Sequence, residues 1–128
     1  MPGKKILLVD DHSTVRDLLR LLLEGEGYGI SEAQDGAEAL EKAKSERPDL
    51  VVLDLMMPQV DGEQVIKELW KSEGLVDLPV IVVSAKQEAL DGCVEILGKE
   101  NVFSKPFEPT KLLDRVEALI GRPDRTES

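Results

Sequence analysis

The chain has 128 residues, enough for one domain whose core needs no disulfide or metal staple. A formal net charge of −10 weighs against direct nucleic-acid binding, which needs a cationic surface, and against docking on anionic membranes. A hydrophobic fraction of 41% argues against disorder, and the single cysteine, Cys93, rules out an internal disulfide.

Strand-like and helix-like segments alternate along the chain. Ile6-Leu7-Leu8-Val9 reads as a first strand that ends in Asp10-Asp11. An apolar stretch that short fits neither a signal peptide nor a membrane span, so the expected location is the cytoplasm. Ser13 or Thr14 can cap a helix with Val15, Leu18, Leu19, Leu22 and Leu23 at helical spacing. Gly25, Gly27 and Gly29 break it, and Tyr28 to Ala33 forms a weaker second strand. Asp35-Gly36 turns into a second helix with Ala37, Leu40 and Ala43 inward, punctuated by Pro48.

Leu50 to Leu53 is the third strand, an unbroken apolar run of the kind buried in parallel sheets, with Asp54 at its C-terminal tip. After the Pro58 to Gly62 loop, Val65, Ile66 and Leu69 mark a third helix, with Trp70 beside them. Val80 to Val83 is the fourth strand and leads to Ser84-Ala85. A less apolar fourth helix is predicted over roughly 87–97, with Cys93 as a small apolar residue on it. Val102-Phe103 belongs to a short fifth strand before Lys105-Pro106. Pro109 suits the first turn of a last helix with Leu112, Leu113, Val116, Leu119 and Ile120 inward. The predicted domain covers residues 4–120, and 121–128 is a polar tail or the start of a linker.

Five strand–helix pairs imply an α/β fold, a doubly wound parallel sheet with helices on both faces. The C-terminal ends of its strands share one edge, where such folds place their ligand crevice. Asp10 and Asp11, Asp54, Ser84 and Lys105 therefore converge there. Clustered carboxylates repel, and one must hold a proton unless a cation sits among them. Oxygen-only donors point to Mg²⁺ or a similar hard ion. An ion so held neutralises an incoming phosphoryl group while Asp54 attacks as a carboxylate nucleophile. The Ser84 hydroxyl and the Lys105 ammonium supply the hydrogen bond and the charge that the new phosphoryl oxygens need.

Asp10-Asp11, Asp54 with Leu55-Met56-Met57-Pro58 and Asp61-Gly62, Ser84-Ala85, and Lys105-Pro106-Phe107 together resemble the receiver domain of bacterial two-component response regulators. The resemblance implies a flavodoxin-like sheet of order 2-1-3-4-5 with five helices. It implies Asp54 as phospho-acceptor, charged by a histidine kinase or a histidine phosphotransfer protein. Asp11, Asp54 and the Met56 backbone carbonyl would bind Mg²⁺, with Asp10 assisting through water. Ser84 and Lys105 would sense the phosphoryl group, the peptide before Pro106 would be cis, and Met56 and Lys86 would tune phosphoryl lifetime. His12 reads as a loop residue near the site, one histidine being a poor metal signature.

One departure stands out. Receivers usually carry Tyr or Phe on the fifth strand as a switch; counting back from Lys105 that position is Val102, whereas counting forward from Ser84 gives Phe103. Val102 is the favoured reading, with Phe103 in the core. The implied output is a changed protein-binding face around the fourth helix, fifth strand and fifth helix, or a phosphorylation-dependent dimer. It serves a downstream protein target or an output domain, with no enzyme activity beyond the chain's own phosphorylation and dephosphorylation. The alternative is a constitutive, phosphorylation-independent interaction module, supported only by Val102. An aspartyl-phosphate phosphatase wants a second acid where Met56 stands, and a flavin site wants a phosphate cradle where Asp10-Asp11 would repel one.

Overall fold

The computed structural model describes residues 4–10, 13–54, 62–72, 75–76, 78–84, 93–104 and 108–121, without the side chains of 13–16 and 62–63. In chain order the elements are β1 (Lys5–Val9), α1 (Ser13–Gly25), β2 (Gly29–Ala33), α2 (Gly36–Glu46), β3 (Leu50–Asp54), α3 (Gly62–Lys71) and β4 (Val80–Ser84). Helical residues 93–97 (α4), a 3-10 turn at Lys99–Asn101, β5 (Val102–Ser104) and α5 (Pro109–Ile120) follow.

All strand pairs are parallel and the order is β2-β1-β3-β4-β5, the predicted topology. The central strands are apolar throughout because both of their faces are covered. Alternation splits the core in two. Leu7, Val9, Val51, Leu53, Val80 and Val82 pack with Ala39 and Ala43 of α2, Ile66 and Leu69 of α3, and Cys93 of α4. Ile6, Leu8, Leu50, Val52, Ile81 and Val83 pack with Leu19 and Leu23 of α1 and with Leu112 and Val116 of α5.

Several helix faces differ from the periodicity reading. Ala39, not Ala37, joins Ala43 in the core; Ala37 is exposed and Leu40 partly buried. Leu18 is 57% exposed rather than inward, because the buried stripe of α1 is centred on Leu19 and Leu23. Leu113, Leu119 and Ile120 only flank the core that Leu112 and Val116 enter. Leu75 and Leu78, in the connection between α3 and β4, are buried core residues that no periodicity marks.

Local chemistry sets the helix ends. Asp35 caps α2 by accepting from the Glu38 N–H at 2.8 Å, while the Glu38 carboxylate accepts from the Gln34 N–H at 2.8 Å, a close relative of the capping box. Pro109 sits in the first turn of α5, where a missing N–H costs nothing. Arg47, in the left-handed region (φ 52), closes α2 before Pro48.

Candidate functional site

The site is built at the C-terminal edge of the sheet. The register pairs Val9 with Leu53, and its next step sets Asp10 beside Asp54 on adjacent strands. The Asp10 N–H donates to the Ala33 carbonyl at 3.0 Å, which extends the β1–β2 ladder and fixes the backbone at that tip. Asp54 is the last residue of β3 and pairs with Val83 of β4, so Ser84 stands one step further along the same edge. Asp10 and Asp54 are each 1% exposed, and Ser84 is fully buried.

Two buried carboxylates on neighbouring strands are an electrostatic liability. Strands lie about 5 Å apart, so like charges on neighbouring tips repel and a cation between them would relieve the repulsion. The donors are all oxygen, which suits a hard divalent cation better than a soft one. Among the described residues no group of three metal-ligating side chains gathers. Asp11, His12, Met56, Lys86, Lys105 and Pro106 lie outside the described residues.

On β5 the register separates the two candidate switch residues. Val102 pairs with Val82 and Ser104 with Ser84, so Val102 lies on the same alternation as Ser84 and packs against the α2–α3–α4 side. Phe103 pairs with Val83 and packs, partly buried, against the α1–α5 side.

A sequence model of the response regulator receiver domain matches residues 6–117. The chain belongs to that family. This receiver is 41% identical over 123 residues to the alkaline phosphatase synthesis transcriptional regulatory protein PhoP of Bacillus subtilis, covering 95% of the chain and 50% of that protein. It is 43% identical over 119 residues to the response regulator MprA of Mycolicibacterium vanbaalenii, covering 92% of the chain and 51% of that protein. The receiver thus spans about half the length of the curated relatives it matches. Among solved structures, a putative response regulator from Chloroflexus aurantiacus superposes with TM-score 0.81 at 31% identity, covering 95% of this chain and all of that one. The chemotaxis response regulator CheY4 of Vibrio cholerae superposes with TM-score 0.74 at 25% identity, covering 91% of this chain and 98% of that one. No helix among the receiver's described residues is long and apolar enough to cross a membrane.

Sequence reasoning named Asp10, Asp54 and Ser84 from strand ends alone, and these three share one edge of the sheet. It left Val102 and Phe103 open because interval counting gives either; strand register puts them on opposite faces.

Proposed function

We propose that Asp54 of this receiver accepts a phosphoryl group from a phosphohistidine donor in a Mg²⁺-dependent reaction, and that the acyl phosphate switches a protein-binding surface. The observation that carries the reading is the buried pair Asp10 and Asp54 on adjacent strand tips, with buried Ser84 one strand further on. A carboxylate oxygen of Asp54 forms the new bond to phosphorus. The bond from phosphorus to the donor imidazole nitrogen breaks, and its electron pair stays on the imidazole. Water later cleaves the acyl phosphate and restores the carboxylate, so the chain processes only its own phosphoryl group.

The buried oxygen donors Asp10 and Asp54 suit Mg²⁺, which would be held by Asp11, Asp54 and the Met56 carbonyl, with Asp10 acting through water. Bound there, it would supply positive charge to neutralise the phosphoryl oxygens in transit. Ser84 then donates its hydroxyl to a phosphoryl oxygen, and Lys105 pairs with another. Met56 and Lys86, beyond Asp54 and Ser84, set access of water to the acyl phosphate. The donor is a histidine kinase or a histidine phosphotransfer protein. The longer relatives include a protein named as a transcriptional regulator, which supports output through an attached or separate effector.

Val102 favours a second reading, the constitutive module, because this β5 residue on the same alternation as Ser84 is a short aliphatic side chain with no ring to rotate. Intact mass after incubation with Mg²⁺ and acetyl phosphate separates the two. One phosphoryl adduct, absent from Asp54→Asn and from an EDTA control, supports the switch. If acetyl phosphate and a panel of phosphorylated histidine donors all fail, the constitutive module replaces it.

A further inference from the structure

β5 is an edge strand of the sheet, and the sheet keeps the two halves of the core apart. Leu97 of α4 packs on the α2–α3–α4 side, whereas Leu112 and Val116 of α5 are buried on the other. Asn101, in the 3-10 turn just before β5, joins the two sides around that edge. Its Nδ2 donates to the Leu97 carbonyl at 3.3 Å, and its Oδ1 accepts from Nε of Arg115, on α5, at 2.6 Å. All three residues are half-buried.

Each end of this relay fits its chemistry. Leu97 closes the helical run 93–97, so its carbonyl is one of those that a helix leaves without a partner in its own ladder. Gly98, at φ 86, turns the chain out of α4, and its N–H donates to the Val94 carbonyl at 2.9 Å. The Asn101 N–H donates to the Gly98 carbonyl at 3.2 Å, which sets the asparagine one turn beyond Leu97. A guanidinium only donates and a carbonyl only accepts, so a side chain between them must do both. An asparagine amide does; an aspartate carboxylate does not. The bond to Arg115 has a neutral acceptor and is weaker than a guanidinium–carboxylate pair, so it can open and reclose while the fold persists.

We propose that Asn101 is a latch that couples the end of α4 to α5 around the edge of the sheet, so that a shift at either helix is felt by the other. Val102, the next residue, gives β5 no ring to carry such a movement; the latch carries it through polar side chains instead. Its use in signalling rests on Asp54 as phospho-acceptor. The coupling does not, and it is measured on the unphosphorylated chain, so the two ideas fail separately.

The test is native-state amide exchange of the ¹⁵N-labelled full chain, read at Leu97 and Gly98 and across residues 112–119. Arg115→Met keeps an unbranched side chain and removes the donor. Although the change lies on α5, it should speed exchange at Leu97 and Gly98 about fivefold. Asn101→Ala should do the same and also speed exchange within 112–119. Asn101→Asp keeps an acceptor for Arg115 and loses the donor to Leu97, so only the α4 end should exchange faster. Asn101→Ala/Arg115→Met should exchange no faster than Asn101→Ala, because both changes break one relay. Lys111→Met, which removes an exposed cation one turn earlier on α5, should alter neither region. Circular dichroism checks that every variant folds. Unchanged exchange at Gly98 in Arg115→Met, additive losses in the double variant, or an equal effect of Lys111→Met would overturn the proposal.

Discussion

Tyr28 and Gly121 lie 93 positions apart and are joined by a 2.9 Å hydrogen bond, the phenol donating to the glycine carbonyl. Tyr28 is buried within the α1–α5 half of the core, so only its hydroxyl reaches the end of α5, where the last helical carbonyls lack partners of their own. Gly121, at φ 78, also donates its N–H to the Glu117 carbonyl at 2.8 Å. The phenol bond ties the end of α5 to the turn that enters β2, and the second closes the last turn of α5. Tyr28→Phe keeps the ring and removes the donor. It should cost about 1 kcal/mol, read as a lower urea midpoint at unchanged slope. Faster amide exchange should be confined to the last turn of α5; an unchanged midpoint would mean that water replaces the phenol without cost.

Neighbouring leucines on α1 should behave in opposite ways. Leu19 is 1% exposed and packs among Leu8, Leu23 and Val52, whereas Leu21 is 69% exposed. Leu19→Ala leaves a cavity and should cost roughly 2–5 kcal/mol, while Leu21→Gln should stay within about 0.5 kcal/mol of the parent. Chemical denaturation of the two variants checks this, and a large loss at Leu21 would show that α1 buries a second face.

The difference between Leu19 and Leu18 shows where sequence reading runs short. The strands were legible because a parallel sheet covered on both faces demands apolar runs, and Leu50 to Leu53 or Val80 to Val83 has no other good use. The order of the sheet came with the family resemblance. Helix faces were blurrier: α1 has leucines at 18, 19, 21, 22 and 23, so periodicity alone does not say which flank turns inward. Leu75 and Leu78 belong to an irregular connection and carry no period, although both are buried. At the site, Asp10, Asp54 and Ser84 followed from one rule, that strand ends share an edge. Val102 and Phe103 did not, because choosing between them needs the register of β5 against β4.

The cap of α2 offers a local test of what holds that helix. Asp35→Ala removes the acceptor for the Glu38 N–H and should cost about 1 kcal/mol; Asp35→Ser should recover most of it. Urea titration of the two variants decides. Equal losses would mean that the charge of Asp35, not its capping geometry, stabilises the first turn.

The crowding of Asp10 and Asp54 predicts a metal-linked stability. Without divalent cation the two buried carboxylates repel, so Asp54→Asn should melt higher than the parent in EDTA. An ion that binds only the folded chain stabilises it by about 2.7 kcal/mol at one hundred times its dissociation constant. Mg²⁺ should therefore raise the melting temperature of the parent, and raise that of Asp54→Asn much less. Equal shifts in both proteins would place the cation away from this pair.

Ser84 separates acceptance of the phosphoryl group from the response to it. Its side chain is buried one step along the edge from Asp54, and in the proposed reaction it takes no part in forming the new bond to phosphorus. Ser84→Ala should still gain one phosphoryl adduct with acetyl phosphate and Mg²⁺. The changed amide exchange expected across β4 and β5 on phosphorylation should disappear. Val102, on the same alternation as Ser84, has no ring to carry the movement across β5, so the parent's response should decay from Ser84 outward. Exchange measured residue by residue in both proteins tests this directly. An undiminished response in Ser84→Ala would mean that another group at the edge, Lys105 foremost, transmits the signal alone.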